Sequence, residues 1–299
     1  MNIWPRRVLR LGGAFFVLAV AAFCLNGLVL AHRNTPVLHA GSAVPTDPEG
    51  GPELRIVTWN IAKAFVHRGD VRFVSTDTAR TRLESMGDVL REIDADVVLL
   101  QEVLLECGPC PVNQMTAIAD AAGYPYRVYG EHANLGIPGF RISTGNALLS
   151  RHPISDPEVI DLPGRKPFWV TNNSRRALYA TLTPPDAMPF RVANLHLDSR
   201  DATNRLTQAE DCHRSLPGPP WIIGGDFNDL PDSPVWSALA KETGIRCPTG
   251  QATYPQWKPE VEIDGFVVSD SWEVISTHRV SATGSDHYPV VISLRRAAR

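Results

Sequence analysis

Three large apolar residues in a row, Trp221-Ile222-Ile223, lead directly into Gly224-Gly225-Asp226-Phe227-Asn228. A run without polar alternation is typical of a strand that is buried on both faces, as in layered folds. This strand delivers a carboxylate and a carboxamide at its exit, where a buried Asp needs a partner or a cation. An ordinary Asp turn is the alternative. A second polar segment, Ser285-Asp286-His287-Tyr288-Pro289, precedes another apolar run and favours one shared site.

Other predicted strands end in the same way. Leu54–Trp59 predicts a strand that ends at Asn60, and 96–102 predicts a buried strand that ends in the Glu102 carboxylate. Apolar residues at helical spacing between Thr78 and Ile93 predict a helix between them. Further strands are predicted at 146–150, 176–182, 190–197, 263–268 and 288–294, with helices at 201–215 and 234–239. Strands and helices are interspersed, so the expected fold class is α/β or α+β.

Composition leaves room for one large domain. The chain has 299 residues, 43% of them hydrophobic, which suffices for a real core. A net charge of −3 gives no global field that favours nucleic acid, so phosphate binding would have to be local. A Pro/Gly-rich stretch at 34–53 predicts a flexible linker. The expected division is a membrane segment at 1–33, this linker, and one large domain at 54–299, expected to be a monomer.

The N-terminal segment predicts membrane targeting. Arg6, Arg7 and Arg10 precede an uncharged stretch, Leu11 to Ala31, which as a helix would be about 31 Å long, close to the hydrocarbon thickness of a bilayer. The arginines would keep the N-terminus cytoplasmic and place the remainder outside. Val29-Leu30-Ala31 is an alternative cleavage site for signal peptidase. The catalytic domain is thus expected to be extracytoplasmic, either anchored or secreted.

Four cysteines lie in the part expected to be exported: Cys107, Cys110, Cys212 and Cys247. An even number in an oxidising compartment predicts disulfides. Cys107-Gly108-Pro109-Cys110 shares its spacing with the redox loop of thioredoxins, but the rest of that pattern is absent. A structural disulfide, a redox site, free thiols and metal binding all remain alternatives.

Eight polar side chains fall at predicted strand ends or in adjoining turns, namely Asn60, Glu102, His196, Asp226, Asn228, Asp264, Asp286 and His287. They belong to the segments Thr58-Trp59-Asn60, Leu100-Gln101-Glu102, Gly145 to Arg151, Asn194 to Asp198, Gly224 to Asn228, Glu262-Ile263-Asp264 and Ser285 to Pro289. In this order the segments resemble the endonuclease/exonuclease/phosphatase superfamily, also called the deoxyribonuclease-I-like fold. The resemblance covers nearly all of 54–294 and implies a four-layer sandwich of two β-sheets flanked by helices, with the site at one edge.

The resemblance also implies roles in hydrolysis of a phosphoester by water. Such a hydrolase must neutralise the anion and position water for in-line attack, and oxygen ligands suit Mg²⁺, with Mn²⁺ as an alternative. Glu102 is implied as the principal metal ligand, with Asn60 in support and Asp286 on the metal or on His287. Asp226 would activate water, held by Asn228. His196 would donate to a phosphoryl oxygen, and His287, oriented by Asp264, would stabilise charge as an imidazolium.

The substrate is less constrained. Ile61-Ala62 and Gly265 stand where some nuclease branches carry acidic or aromatic residues, which argues against a DNA-repair enzyme. One predicted loop, 163–176, holds the substrate-binding candidates Arg165, Lys166, Trp169 and Arg176. It would contact nucleic acid or anionic lipid. Core packing of Trp169 and a structural ion pair for Arg176 are the alternatives.

Three functional hypotheses remain. The first is an exported or membrane-anchored metal-dependent phosphoesterase acting on nucleic acid or phospholipid. The second is a non-catalytic phosphate-binding module on the same fold, and the third is a thiol oxidoreductase that uses Cys107 and Cys110. The first is favoured because no member of the expected catalytic set is replaced.

Overall fold

Two β-sheets stack face to face and carry helices on their outer surfaces. The computed structural model describes residues 4–40, 53–67, 70–71, 74–170, 174–185, 188–241 and 243–297. The helices are α1 Trp4–Leu25, continued by a π-helix at Asn26–Leu30, then α2 Thr76–Ile93, α3 Gln114–Ala122, α4 Ala202–Arg214 and α5 Pro234–Ala240. The strands are β1 Val37–Ala40, β2 Leu54–Asn60, β3 Val66–His67, β4 Asp70–Val71, β5 Val97–Cys107, β6 Tyr126–Ile137, β7 Phe140–Ser150, β8 Ile154–Asp161, β9 Arg176–Leu182, β10 Phe190–His196, β11 Trp221–Asp226, β12 Gly244–Cys247, β13 Asp264–Ser269, β14 Trp272–Arg279 and β15 Val290–Arg296.

The strand orders define the sandwich. One sheet has seven strands in the order β1-β6-β7-β5-β2-β15-β14, and the other has six in the order β12-β13-β11-β10-β9-β8. The core between the sheets includes Ile56, Leu99, Ile222 and Phe266. Separate apolar clusters join the first sheet to α2 and α3 and the second sheet to α4 and α5. The predicted four-layer α/β sandwich is therefore confirmed.

Strand β11 shows why its sequence lacks polar alternation. Ile222 packs between the two sheets, whereas Trp221 and Ile223 pack on the opposite face beneath α4 and α5. Both faces of the strand are covered, so neither can be polar. The same division separates Ile56 from Val57 in β2, which explains the apolar run there.

Several elements were not predicted from the sequence. Helix α3 and strands β1, β3, β4, β6, β8, β12 and β14 are additional, and β5 and β7 are longer than expected. Helix α3 has Asn113 as its N-cap, with the Asn113 side chain accepting from the Thr116 amide, and it ends at Gly123 with φ 83°. A clear helix boundary was therefore present in the sequence.

The predicted linker requires a correction. Val37–Ala40 forms β1, which pairs antiparallel with β6 at the edge of the larger sheet. Backbone hydrogen bonds to a sheet do not require large apolar side chains, so composition alone gave no signal. Residues 41–52 lie outside the described part of the chain. The domain boundaries at 33 and 53 otherwise stay predictions.

The N-terminal segment forms one long apolar helix. The stretch Arg10–Leu30 is long and apolar enough to cross a membrane, with a mean hydropathy of 2.3. Most of its residues are exposed, which is unlike a core helix. Its last residues contact β6 of the larger sheet.

Candidate active site

The sheet topology brings the predicted catalytic side chains to one edge of the sandwich. Strand β2 runs parallel to β5, and β10 runs parallel to β11, so their carboxyl ends lie at the same edge. Strand β13 is antiparallel to β11, and its first residue, Asp264, is paired with Asp226. Strand β15 is antiparallel to β2, which places the preceding His287 beside the end of β2. Both sheets therefore contribute to one site.

Asp226 lies at the centre of this cluster and is buried. Asn60 donates from Nδ2 to Asp226 Oδ2 at 2.9 Å, and the backbone N–H of Asn228 donates to Oδ1 at 3.0 Å, while the Asn228 side chain donates to the Leu197 carbonyl. Burial raises the pKa of Asp226 to about 7, and the Asp264 carboxylate adds to this effect. Asp226 can therefore exchange a proton near neutral pH, as a general base must. The Asn60 side chain, which the resemblance implies as support for a metal, therefore contacts the Asp226 carboxylate directly.

His287 forms a buried chain of hydrogen bonds with Asp264 and Thr253. His287 Nδ1 lies 2.9 Å from Asp264 Oδ2, and Thr253 Oγ1 donates to the same oxygen at 2.6 Å. Burial alone would lower the pKa of His287, but the carboxylates of Asp264 and Asp226 and the Asp264 hydrogen bond outweigh it and raise the pKa to about 10. His287 is thus an imidazolium at neutral pH. Its Nε2 lies 3.8 Å from Asp226 Oδ2 and faces the centre of the site.

His196 approaches the same oxygen of Asp226, but its surroundings shift its pKa in the opposite direction from that of His287. Its Nε2 is 3.5 Å from Asp226 Oδ2, and its Nδ1 is 3.3 Å from Arg175 Nη1. Burial lowers the pKa of His196 well below its usual value, and the positive charge of Arg175 lowers it further. A neutral His196 can donate one hydrogen bond from Nε2 while Nδ1 accepts from Arg175. The two histidines therefore hold different charges at the same pH.

Glu102 sits on a strained turn within β5. Its φ is 55°, and the pairing of β5 with β7 shifts register between Leu100 and Val103. Such a bulge re-aims a side chain, and strain of this kind is typical of functional sites. The Glu102 carboxylate forms an ion pair with the Lys63 ammonium, and Glu102 Oε1 lies 4.0 Å from His196 Nε2. Desolvation opposes ionisation, but the Lys63 charge and hydrogen bond hold the pKa of Glu102 below its usual value.

The oxygen donors fit a divalent cation beside Glu102. Asp286 Oδ1 is a buried carboxylate oxygen that receives no hydrogen bond from any described residue. Burial raises the pKa of Asp286, and the nearby Glu102 carboxylate raises it further, so added positive charge would be favourable there. Asp226, Asp264 and His287 also have ligand atoms within 4.8 Å of one another. In that group Asp264 Oδ1 is also without a hydrogen bond from the described residues, but a protonated His287 offers no nitrogen lone pair to a cation. Glu102 and Asp286 supply oxygen ligands alone and are therefore better suited to Mg²⁺.

The predicted substrate-binding residues are not all at this site. Arg176 is buried, and it pairs with Asp161 at 2.6 Å and donates to the Glu131 carbonyl at 2.6 Å, so its position is structural. Arg165 pairs with Asp161 and donates to the His132 carbonyl. Lys166 and Trp169 are exposed. Residues 171–173 of the predicted loop lie outside the described residues.

Three residues of the site were missed by sequence reasoning: Lys63, Arg175 and Thr253. Lys63 lies in a turn where residues 62–64 all have positive φ, a conformation that Ala and Lys rarely adopt and that no local sequence signal indicates. Arg175 was within the predicted basic loop, but its neighbour Arg176 was selected instead. Thr253 approaches Asp264 from a separate segment, and only the tertiary structure brings them together.

The cysteines do not support redox chemistry. All five are free, so the predicted disulfides are not confirmed. Burial raises the pKa of the Cys107 thiol, whereas a redox-active thiol has a lowered pKa. Cys212 and Cys247 are also buried, with thiol pKa values raised to about 12 by burial.

Comparisons with known proteins identify the family and the fold. The model of the endonuclease/exonuclease/phosphatase family matches residues 57–287. The chain is 30% identical over 191 residues to the protein YbhP of Escherichia coli, covering 59% of this chain and 67% of YbhP. An endonuclease/exonuclease/phosphatase structure from Beutenbergia cavernae aligns with a TM-score of 0.65 at 24% identity, covering 82% of this chain and 72% of the other. The mannosyl-6-phosphatase of Bacteroides thetaiotaomicron aligns with a TM-score of 0.57 at 20% identity, covering 81% of this chain and 99% of the other. The chain belongs to the endonuclease/exonuclease/phosphatase family.

Proposed function

We propose that this protein is a membrane-anchored, divalent-metal-dependent hydrolase that cleaves a phosphoester by direct attack of water on phosphorus. The observation that carries the proposal is the placement of two histidines, one neutral and one protonated, beside the same carboxylate oxygen of Asp226. His196 Nε2 and His287 Nε2 lie 3.5 and 3.8 Å from the same carboxylate oxygen. A base flanked by a neutral donor and an imidazolium fits a tetrahedral anion attacked by water.

Each residue has one task in this proposal. Asp226, held by Asn60 and the Asn228 amide, takes a proton from the attacking water. His196 donates from Nε2 to a phosphoryl oxygen, and its Nδ1 is held by Arg175. His287, held by Asp264, stabilises the charge that develops on the other phosphoryl oxygens. The water oxygen bonds to phosphorus as the bond from phosphorus to the leaving oxygen breaks.

Glu102 and Asp286 would hold the cation, for which Mg²⁺ is the first choice and Mn²⁺ the second. When bound, the cation supplies charge neutralisation to the phosphoryl group. Lys63 already pairs with Glu102 and so keeps it ionised. Binding of the cation at Glu102 would therefore require the Lys63 ammonium to move away from at least one Glu102 carboxylate oxygen.

The mannosyl-6-phosphatase supports a phosphoester substrate, since its name states that it removes a phosphate. The fold is shared at low identity, so the substrate itself is not carried over. The contacts of the apolar segment with the catalytic domain support an uncleaved anchor, because cleavage after Ala31 would remove the Asn26 partner of Asn134. The expected topology places the catalytic domain outside the cytoplasm.

A substrate panel tests the proposal. The full chain in detergent would be offered bis(p-nitrophenyl) phosphate, p-nitrophenyl phosphate, plasmid DNA, RNA and phospholipid, with Mg²⁺, Mn²⁺ or EDTA. We expect metal-dependent hydrolysis of at least one phosphoester and its loss in Asp226→Asn. Absence of hydrolysis across the panel would instead support a phosphate-binding module.

A further inference from the structure

We infer that the surface around the anchor helix enters the bilayer interface and presents the active site to membrane lipids, so that the substrate is a lipid-borne phosphoester. This inference rests on the proposed function for both the anchor and the chemistry. The surface consists of Leu135, Ile137 and Phe140 at the tip of the β6–β7 hairpin together with Trp169, and is called the apolar rim below. These four side chains are 37%, 44%, 56% and 59% exposed.

The C-terminal part of the apolar segment is fastened to the catalytic domain. Asn26 is buried, and its Nδ2 donates to Asn134 Oδ1 at 2.7 Å. Arg141 donates from Nη1 to the Leu30 carbonyl at 3.0 Å. Asn134 and Arg141 flank the tip of the β6–β7 hairpin, which spans 135–140. If the segment lies in a bilayer, the hairpin must lie at the bilayer surface.

The pairing of the chain after the anchor gives the direction in which the hairpin points. In the β1–β6 pair, Val37 lies opposite Tyr129. Moving toward the N-terminus, the Arg33 amide donates to the Glu131 side chain, and Asn26 reaches Asn134. Each step toward the anchor is therefore a step toward the hairpin tip. The tip and the anchor helix point to the same side, which is the membrane side.

Aromatic contacts indicate how deeply the apolar rim enters the bilayer. The Phe23 and Phe168 rings pack with centroids 5.2 Å apart, and Trp169 packs edge-on against Phe168, also at 5.2 Å. Phe23 precedes Leu30, the end of the apolar stretch, by about 10 Å at the α-helical rise. Phe168 shares that depth, within the interfacial zone where Trp is favoured. The exposed Trp169 ring then has lipid as its neighbour.

The active site is close to this surface. Arg165 donates from Nη1 to the His132 carbonyl at 3.4 Å, and the His132 ring lies 6.4 Å from the ring of the catalytic His196. Between the anchor and His132 lies a small cavity lined by Gly27, Arg33 and Arg165, among others. One layer of side chains therefore separates the anchor from the catalytic centre, and cationic groups lie at headgroup depth.

This placement favours a lipid over a nucleic acid. A phospholipid headgroup carries its phosphoester at the depth of the apolar rim and can reach the site by diffusion in the leaflet. A polynucleotide would have to approach an anionic surface against electrostatic repulsion, and the net charge of −3 offers no compensating field. A preference of the wild-type protein for DNA or RNA over lipid would therefore contradict this inference.

The first test measures docking without reference to activity. The full chain carrying Cys24→Ser would receive an environment-sensitive thiol fluorophore at Phe140→Cys, in vesicles of phosphatidylcholine and phosphatidylglycerol containing spin-labelled lipid. The matched control is Ile275→Cys, because Ile275 is 40% exposed on β14 at the opposite edge of the same sheet. We expect blue-shifted, lipid-quenched emission at position 140 and solvent-like emission at 275. Equal emission at the two positions would overturn the docking surface.

The second test measures what docking does for catalysis. The double variant Ile137→Ser/Phe140→Ser would be compared with Ile275→Ser, on phosphatidylglycerol in the vesicles and on soluble bis(p-nitrophenyl) phosphate. Loss of two apolar side chains from the bilayer should lower lipid hydrolysis by about tenfold or more. Hydrolysis of the soluble ester should stay within about twofold, and Ile275→Ser should match wild type on both substrates.

The outcomes separate the two proposals. If the double variant loses both activities equally, or neither, the rim has no role in lipid access. If wild type prefers nucleic acid, or cleaves the soluble ester but no lipid, the lipid substrate is wrong although the hydrolase stands. If wild type cleaves nothing, the proposed function fails, and the fluorescence at position 140 still decides whether the rim enters the bilayer.

Discussion

The charge on His287 gives the sharpest test of the site, through the substitution Asp264→Asn. Asp264 Oδ2 lies 2.9 Å from His287 Nδ1, and the two groups are buried. The Asp264 charge is the largest of the effects that raise the pKa of His287, with the Asp226 charge and the Asp264 hydrogen bond next. An asparagine keeps the shape but removes the charge. The imidazolium should therefore lose its main support.

The magnitude follows from the pKa of about 10, against an ordinary value of 6.5. This difference corresponds to about 5 kcal/mol of preference for the imidazolium. If Asp264 supplies roughly half, the pKa of His287 falls to about 8 in the variant. At pH 9 the protonated fraction then falls about tenfold, whereas at pH 6.5 both proteins are fully protonated at His287.

The assay is the pH dependence of kcat/KM between pH 5.5 and 10 on a soluble phosphodiester with saturating metal, because kcat/KM reports the pKa values of the substrate-free protein. Wild type should show an acid limb near 7, from Asp226, and an alkaline limb near 10, from His287. Asp264→Asn should shift the alkaline limb down by about two pH units. The acid limb should also move down, because the Asp264 charge contributes to the raised pKa of Asp226.

The control is Thr253→Val. Thr253 Oγ1 donates to the same Asp264 oxygen at 2.6 Å, so this variant removes a hydrogen bond and keeps the carboxylate charge. The midpoint of the alkaline limb of its pH–rate profile should stay within about half a pH unit of that of wild type. An unchanged alkaline limb in Asp264→Asn, or equal shifts in the two variants, would refute the assignment of His287 as the catalytic imidazolium.

Further predictions use neighbouring residues as controls. Arg175→Met should lower kcat by tenfold or more with little change in urea unfolding, whereas Arg176→Met should cost about 1–3 kcal/mol of unfolding free energy, because it leaves the buried Glu131 carbonyl without its donor while Asp161 keeps Arg165. Glu102→Gln should raise the Mg²⁺ concentration needed for half-maximal activity at least tenfold, and an unchanged metal titration would exclude Glu102 as a ligand. His287 has a raised folded-state pKa, so its stabilising effect is complete below pH 6.5 and is lost as pH rises toward 10; His287→Gln should flatten the fall of unfolding free energy over that range. Cys107→Ser/Cys110→Ser should keep full activity, and a strong loss would restore the redox hypothesis.

The sequence predicted the layers of the fold because buried strands must be apolar on both faces. Trp221-Ile222-Ile223 and Val97 to Leu100 satisfy this rule, and their parallel partners bring the following polar residues to one edge. The long hairpin β6–β7 was recognised only at its end, because Tyr126–Ile137 mixes Gly, Asn, His and Glu with apolar residues. Several of these polar groups bond to each other or to the anchor, for example Asn134 to Glu131 and Asn26.

The sequence predicted the central side chains of the candidate site better than the residues that contact them. Asp226, His196 and His287 follow from their positions at strand ends and from the family resemblance. The contacts of Lys63, Arg175 and Thr253 join segments that are far apart in sequence, as in the ion pair of Lys63 with Glu102. Such contacts cannot be recognised before the fold is known. The choice between Arg175 and Arg176 depends on which side of the chain each side chain points to at the start of β9. Arg176, the first residue of β9, is buried, whereas Arg175 immediately before it lies beside His196.

The attack of water on phosphorus is the central claim, and hydrolysis in ¹⁸O-labelled water tests it most directly. Wild-type protein would cleave the phosphoester found in the substrate panel, and mass spectrometry would locate the label, with Asp226→Asn as the matched control. We predict one ¹⁸O atom in the phosphate-bearing product, none in the alcohol, and at least a hundredfold slower incorporation in the variant. Label in the alcohol, or equal rates in the two proteins, would contradict the proposed site.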